Sequence, residues 1–171
     1  MMADLDNQII GESDELISTD SSDDVRQATL ALARGTRRSL LIFSHQLDGR
    51  VYNTQDFYDE LLRLATTSRH TQIHVLIQDS TPIVKNGSRV VELSHRISSR
   101  LQLRKPPREC QDMVEEFVIA DERAVLHRRL ATRYEGELCF NTPYQARQLT
   151  KSFMEYWEKS AADPELRRLY L

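Results

Sequence analysis

The sequence predicts a single α/β domain built on a mixed, largely parallel sheet with helices on both faces. Three observations carry this reading. Residues 39–44, Ser-Leu-Leu-Ile-Phe-Ser, form a continuous apolar run bounded by charge, the pattern of a strand buried on both faces. Around that run, short apolar segments alternate with longer ones whose apolar residues keep helical spacing, as β-α-β units require. No internal repeat divides the chain, which excludes a solenoid or propeller.

In chain order, a first helix starts at Ser21 or Ser22, either of which can cap it, with Asp23 and Asp24 beside the positive end of the dipole. Val25, Ala28 and Leu32 share one face, and Gly35 ends the helix. The strand at 39–44 follows. Thr54 caps a second helix in which Phe57, Leu61 and Leu64 keep helical spacing, and residues 73–77 return as a second strand. Val90, Leu93 and Ile97 mark a third helix before a short strand at 101–103, and Pro106-Pro107 then breaks the regularity. Residues 117–119, 124–126 and 137–140 read as strands, the first two joined by an Asp-Glu-Arg turn that suits a hairpin. A last long helix carries Thr142 as cap, Pro143 at its first position and Gln145 to complete a capping box. Ala146, Leu149, Phe153 and Trp157 supply its buried stripe.

A chain of 171 residues can remove roughly 70% of its unfolded surface from water, enough for a core without staples. Cys110 and Cys139 lie far apart with neither Cys-x-x-Cys nor Cys/His spacing, so they read as thiols in a reducing cytoplasm, and no metal or cofactor is expected. The start of the chain is acidic and lacks an apolar core of signal-peptide type, and the longest apolar runs are strand-sized, which argues against export and membrane insertion. Residues 1–25 hold eight of the 26 acidic groups and no Lys or Arg, leaving 18 acids against 23 bases in the remainder. Residues 1–20 therefore read as a solvated, disordered acidic tail, and 21–171 as the folded domain.

Candidate chemistry is sparse. His45 and Asp48 follow the first apolar strand, where the ligand crevice of an open α/β sheet lies, and a His-Asp pair can orient a general base. No nucleophile or metal cluster accompanies them, and a loop histidine with local hydrogen bonds is the plainer account. His70 and His74 are four apart in a segment that reads as strand, which does not suit a metal pair. Arg96 and Arg100 form a secondary basic cluster at the end of the third helix, where positive charge also suits the dipole. A nucleic-acid interface needs a broad basic stripe with exposed aromatics, and Tyr52, Phe57 and Trp157 fall in core-like or loop contexts instead.

This order of elements, with the strand at 40–44, Leu-Leu-Arg-Leu-Ala, Ile-His-Val-Leu-Ile, Phe-Val-Ile-Ala-Asp and the closing Ser-Phe-Met-Glu-Tyr-Trp-Glu-Lys-Ser, resembles one phospholipase D-like domain over residues 26–160. The signature of that family is His-x-Lys, four residues, Asp, six residues, Gly-Ser and a nearby Asn. Counting from Asp121, the resemblance places Val114 at the His, Glu116 at the Lys, Arg128 and Arg129 at Gly-Ser and Ala131 at the Asn. Only Asp121 matches. Phosphoryl transfer of that type needs the imidazole nucleophile and the lysine clamp, so the resemblance implies a degenerate, non-catalytic domain that binds a small anion or a protein partner. Single-copy members of that superfamily pair face to face, which implies a homodimer.

Two further readings follow. His127, Arg128, Arg129 and Arg133 replace the Gly-Ser turn, and guanidinium forks there suit a vestigial anion pocket; Arg133 pairing with a buried acid is the structural alternative. An enzyme with a rebuilt site of His45, Asp48 and Asp121, acting on phosphate-containing or acyl substrates, is the alternative function. The chain is also similar to a family of uncharacterised bacterial domains, some joined to GNAT-type acetyltransferases. Arg34-Gly35-Thr36-Arg37 precedes a strand and lacks the spacing of an acetyl-CoA loop, so the acetyltransferase chemistry itself has no support in these residues.

Overall fold

A computed structural model describes residues 4–169. Along the chain run β1 (Leu16–Thr19), α1 (Ser22–Gly35), β2 (Ser39–Ser44), α2 (Gly49–Tyr52), α3 (Gln55–Thr67), β3 (Gln72–Ile77), α4 (Thr81–Asn86) and α5 (Arg89–Arg96). Then follow β4 (Leu101–Arg104), a 3-10 turn at Arg108–Cys110, β5 (Glu116–Ala120), β6 (Ala124–Arg128), β7 (Gly136–Cys139), α6 (Pro143–Glu158) and α7 (Pro164–Arg168). The strands form one seven-stranded sheet in the order β1-β7-β6-β5-β2-β3-β4. The sheet is mixed, as the sequence predicts, but its parallel share is small: β2–β3 and β3–β4 run parallel and the other four pairings antiparallel. Short hairpin links through β5, β6 and β7 leave no room for the crossovers that parallel neighbours need.

Strand alternation divides the core between the two faces. Leu40, Ile42, Ile73, Val75, Val118 and Leu126 face α1, α3 and α5, whereas Leu41, Phe43, Leu76, Phe117, Ile119 and Val125 face α6. Phe43 and Phe117 stack across β2 and β5 with centroids 5.3 Å apart. The helix starts follow their capping chemistry. Ser21 accepts the amide of Asp24 at 3.1 Å and Thr54 that of Phe57 at 3.2 Å, each satisfying an orphan donor of a first turn. Thr142 makes no such bond to α6, whose first turn relies on Pro143 alone, so the expected capping box is not formed.

The acidic leader is a correction. Residues 4–20 are part of the fold: β1 forms the sheet edge on β7, with Ile17 4% and Thr19 3% exposed. Gly11, at φ +85, donates its amide to Phe140 O at 2.7 Å, and Ile10 lies so close to Gly35 that a Cβ there would meet its Cδ1 at 2.9 Å. The acids that suggested solvation stay outside this contact. They cap turns, as Asp4 does for Asp6, or hold Asn141, as Asp14 does at 2.6 Å. Short alternation over four residues outweighs composition because β7 pairs the inward-facing backbone groups of β1 while Ile17 and Thr19 are buried.

On the α6 face, Trp157 stacks on His74 at 4.1 Å, and the guanidinium carbon of Arg104 lies 4.3 Å from the Trp157 ring centre. The Nδ1 of His74 is buried without a hydrogen bond. Burial first, and then the charge of Arg104, push its pKa from 6.5 down to about 4. The sign follows directly: between these values the unfolded chain takes up a proton that the folded chain refuses. Stability is therefore lost as pH falls from about 6.5 to about 4, by about 2 kcal/mol once the partial solvation of the ring is discounted. Denaturation of wild type and His74→Phe at neutral pH and near pH 4.5 checks this. The variant is expected to lose less stability between the two, and equal losses would show that His74 titrates normally.

Candidate functional site

The site lies where β2 ends and β5 begins. Ser44, the last residue of β2, is fully buried; its hydroxyl donates to Glu116 Oε1 at 3.0 Å and accepts the amide of Leu47 at 2.8 Å. That second bond helps hold Leu47 in the left-handed region at φ 52 and turns the chain sharply after the strand. The amide of His45 also donates to Glu116 Oε1, at 2.8 Å. Glu116 Oε2 is ion-paired with Nη2 of Arg128, its cross-strand neighbour in β6.

Both partners of that pair are buried, Glu116 at 4% and Arg128 at 2% exposure. Arg128 Nη1 donates further to the carbonyls of Arg133 at 2.6 Å and Ala131 at 3.4 Å, and the Tyr134 ring lies 5.6 Å from the guanidinium carbon. The charge is thus enclosed by acceptors, the condition under which a buried ion pair is tolerated. Gly136 makes room for it. A Cβ at that position would sit 2.8 Å from Arg128 Cγ and 3.0 Å from both His127 O and Thr19 Oγ1.

In front of the pair opens a cleft of about 410 Å³, lined by His45, Asp48, Arg50, Glu116, Ala131 and Tyr134. Tyr134 donates its hydroxyl to Asp48 Oδ2 at 2.6 Å, and Asp48 Oδ1 caps α2 through the amide of Arg50 at 2.9 Å. The hydrogen bond to Asp48 raises the pKa of Tyr134, so the phenol stays protonated as the donor. His45 also borders a second cleft, of about 420 Å³, with Gln78, Lys105 and Arg108. Beside both, Asp79 is held down to about 2 by hydrogen bonds, first from Thr81 and then from Gln46, whose Nε2 donates at 2.9 Å.

His45 and Asp48 therefore share one cleft, with Arg128 behind it and spent on Glu116. The other expected residues do not converge there. Asp121 lies at the opposite end of β5, where Oδ2 accepts the amide of Arg37 and Oδ1 those of Arg38 and Ser39 at 2.9, 2.7 and 3.1 Å, respectively. A rebuilt site of His45, Asp48 and Asp121 is excluded by that separation. Arg129 and Arg133 line a third cleft with His127, Glu135 and Glu137, so the three arginines form no common anion pocket. The physical reason is that Arg128, the last residue of β6, turns to Glu116, whereas His127 before it and Arg129 after the strand line the third cleft. His127 instead pairs with Glu115 at 2.6 Å. Arg96 donates to Tyr58 Oη at 2.6 Å at the last turn of α5, whereas Arg100 lies beyond the helix and lends its carbonyl to Ile73, so these two form no helical pair.

Of the residues singled out from the sequence, His45 and Asp48 line one cleft; Ser44, Tyr134 and Gly136, which shape it, were not singled out. Among the described residues no three His, Cys, Asp or Glu side chains gather as metal ligands, and no helix is long and apolar enough to cross a membrane.

Residues 21–169 match the family described as Domain of unknown function DUF7931. The chain belongs to that family. No curated protein matches it. Among solved structures, this DUF7931 domain is similar to TrmBL2, an archaeal chromatin protein with a novel mode of DNA binding, at 17% identity and a TM-score of 0.62. That likeness covers 86% of this chain but 54% of the archaeal one, so the domain spans about half of it. Nuc from Salmonella typhimurium, a phospholipase D family member, aligns at 11% identity and a TM-score of 0.60, covering 86% of this chain and 96% of the other. NucT from Helicobacter pylori aligns at 11% identity and 0.58, covering 87% and 100%. These likenesses establish a phospholipase D-like fold for the domain.

Proposed function

We propose that this DUF7931 domain is a non-catalytic phospholipase D-like module that recognises a small ligand or a protein partner at the His45 crevice. The observation that carries the reading is the buried Glu116–Arg128 pair at the positions where the resembled family holds its lysine and glycine. A phosphate clamp needs a positive charge with free donors facing the crevice. Here that level presents a carboxylate whose two oxygens are already engaged by Ser44, His45 and Arg128. Val114, at the position of the nucleophilic imidazole, is 59% exposed and offers no lone pair. Asp79 is the acid whose charge His45 feels, and both of its oxygens are spent on the Thr81 amide and Gln46, so the cleft supports binding better than turnover.

The expected result is no hydrolysis of a generic phosphodiester by the purified chain. Turnover that disappears in His45→Ala would overturn the reading and establish an enzyme with a rebuilt site. Partner class follows from the same geometry. Tyr52, Phe57 and Trp157 are buried, which leaves Tyr144, 70% exposed, rather than a row of stacking platforms for bases, so the DNA binding of TrmBL2 is not carried over. Two free thiols, Cys110 and Cys139, suit a cytoplasmic setting. A homodimer belongs to this proposal as well, and light scattering that returns a monomer mass at high concentration would eliminate it.

A further inference from the structure

At the end of the sheet opposite the His45 crevice lies a cleft of about 450 Å³, formed where the leader crosses the domain and lined by Arg37, Arg38, Arg123, Ile9, Ile10 and Glu12. Its electrostatics are the reverse of the crevice. Arg128 in the crevice is enclosed by acceptors, whereas the guanidinium groups of Arg37, Arg38 and Arg123 have no hydrogen bond or ion pair among the described residues. Asp121, which also lines the cleft, is spent on three backbone amides, of Arg37, Arg38 and Ser39.

Those same bonds set the geometry of the cleft. They pin the backbone of Arg37 and Arg38 against the β5–β6 turn, where Asp121 and Glu122 both adopt left-handed backbone, at φ 53 and 54. Neither residue is a glycine, so the turn is strained, and the three amide bonds are what hold it. Arg123, the next residue, rests its stem on Gly11: a Cβ there would meet Arg123 Cδ at 3.0 Å. Two arginines from the start of β2 and one from the hairpin are thereby held around one space. Glu12 is the single lining acid not already engaged by the backbone.

We propose that this cleft binds a small phosphate monoester. Three guanidinium forks offer more paired donors than the two oxygens of one carboxylate can accept. A phosphate monoester presents three oxygens and close to two negative charges, which matches them. The cleft has the size of a small-molecule site, and Ile9, 54% exposed beside the arginines, offers an apolar wall for the body of the ligand. This inference is independent of whether the His45 crevice turns over a substrate.

The test follows backbone amide shifts of the full chain at fixed ionic strength, titrated with inorganic phosphate, adenosine 5′-monophosphate and succinate. Shifts are expected at Gly11, Arg37, Arg38 and Arg123, with the nucleotide binding tighter than phosphate and succinate weaker than phosphate. Arg37→Gln/Arg38→Gln should weaken binding by about tenfold or more, because both lost groups are forks without internal partners. That variant keeps the amides that hold Asp121, and an unchanged unfolding midpoint will show that it folds. Should it fail to fold, Arg123→Lys retains charge and stem while losing the fork, and is expected to weaken binding several-fold. Arg129→Gln/Arg133→Gln, in the third cleft, should leave affinity unaltered. The proposal is overturned by shifts confined to the His45 crevice, by succinate binding as tightly as phosphate, or by a folded arginine variant that binds like wild type.

Discussion

Replacing Ile17 by alanine is expected to destabilise the domain by about 3 kcal/mol, the cost of emptying a buried branched site. At this chain length that corresponds to a fall of roughly 6–12 °C in Tm. Ile17→Asp should cost more, because it puts an unpaired carboxylate where 4% of the side chain reaches water. Leu16 is the control. It is the preceding residue of the same four-residue strand, points to the other face and is 62% exposed, so Leu16→Asp should stay within about 0.5 kcal/mol of wild type. The contrast between neighbours tests register as well as packing: a strand slipped by one residue would reverse the two effects. If neither substitution moves the midpoint, the leader does not pack, and the charge-based reading of a solvated tail stands. Deletion of residues 1–20 should then be silent too, whereas the packed β1 predicts that deletion bares the edge of β7 and lowers the midpoint at least as far as Ile17→Ala.

What could be read from the sequence tracks how far apart in the chain the deciding contacts lie. β2 was legible because four consecutive residues, Leu40 to Phe43, are apolar on both faces, and α1 because Ser21 and its acidic first turn are local chemistry. Helices α2, α4 and α7 were not legible. Each spans six residues or fewer, with too few turns for a periodic stripe, and each is positioned by packing rather than propensity. β1 was hidden for a related reason: a four-residue alternation inside an acidic stretch becomes a strand only through β7, about 120 residues later in the register of Leu16 with Cys139.

The site divides along the same line. His45 and Asp48 could be placed at one cleft because position after an apolar strand is a local signal. Counting against the family signature places Glu116 at the lysine and Arg128 at the glycine, yet Arg128 is read there as part of an anion pocket and Glu116 is given no partner. Their ladder register joins them directly, Glu116 facing Arg128 across β5 and β6. Two residues that replace a catalytic lysine and a glycine with opposite charges, on neighbouring strands of one hairpin, are a signal for a pair that a residue-by-residue comparison does not weigh. Gly136 is the third member of that signal, since only a residue without a side chain leaves space for the Arg128 stem.

The second large effect follows from that pair. Glu116→Ala and Arg128→Ala are each expected to cost about 3–5 kcal/mol, because each strands a buried charge whose partner has gone. The double variant Glu116→Leu/Arg128→Met is expected to cost clearly less than the sum of the two single losses, since it removes the desolvation cost together with the attraction. A residual loss remains from the Ser44 hydroxyl, the His45 amide and the carbonyls of Ala131 and Arg133, which lose their partners. Urea unfolding of wild type, Glu116→Leu, Arg128→Met and the double variant closes the cycle; each of these single changes is expected to cost about as much as its alanine counterpart, and strong positive coupling is the expected outcome. Arg128→Lys should not rescue Arg128→Ala fully. An ammonium group cannot reach the Glu116 carboxylate and the carbonyls of Ala131 and Arg133 together, as the planar fork does. Raising the salt concentration should leave the single-variant costs nearly unchanged, because ions do not screen a pair with 3% and 5% side-chain exposure. Single-variant losses below about 1 kcal/mol, or losses that shrink with salt, would mean that water reaches Glu116. In that case the floor of the His45 cleft would be an open carboxylate available for acid–base chemistry, and the reading of a binding module built on a closed ion pair would fail with it.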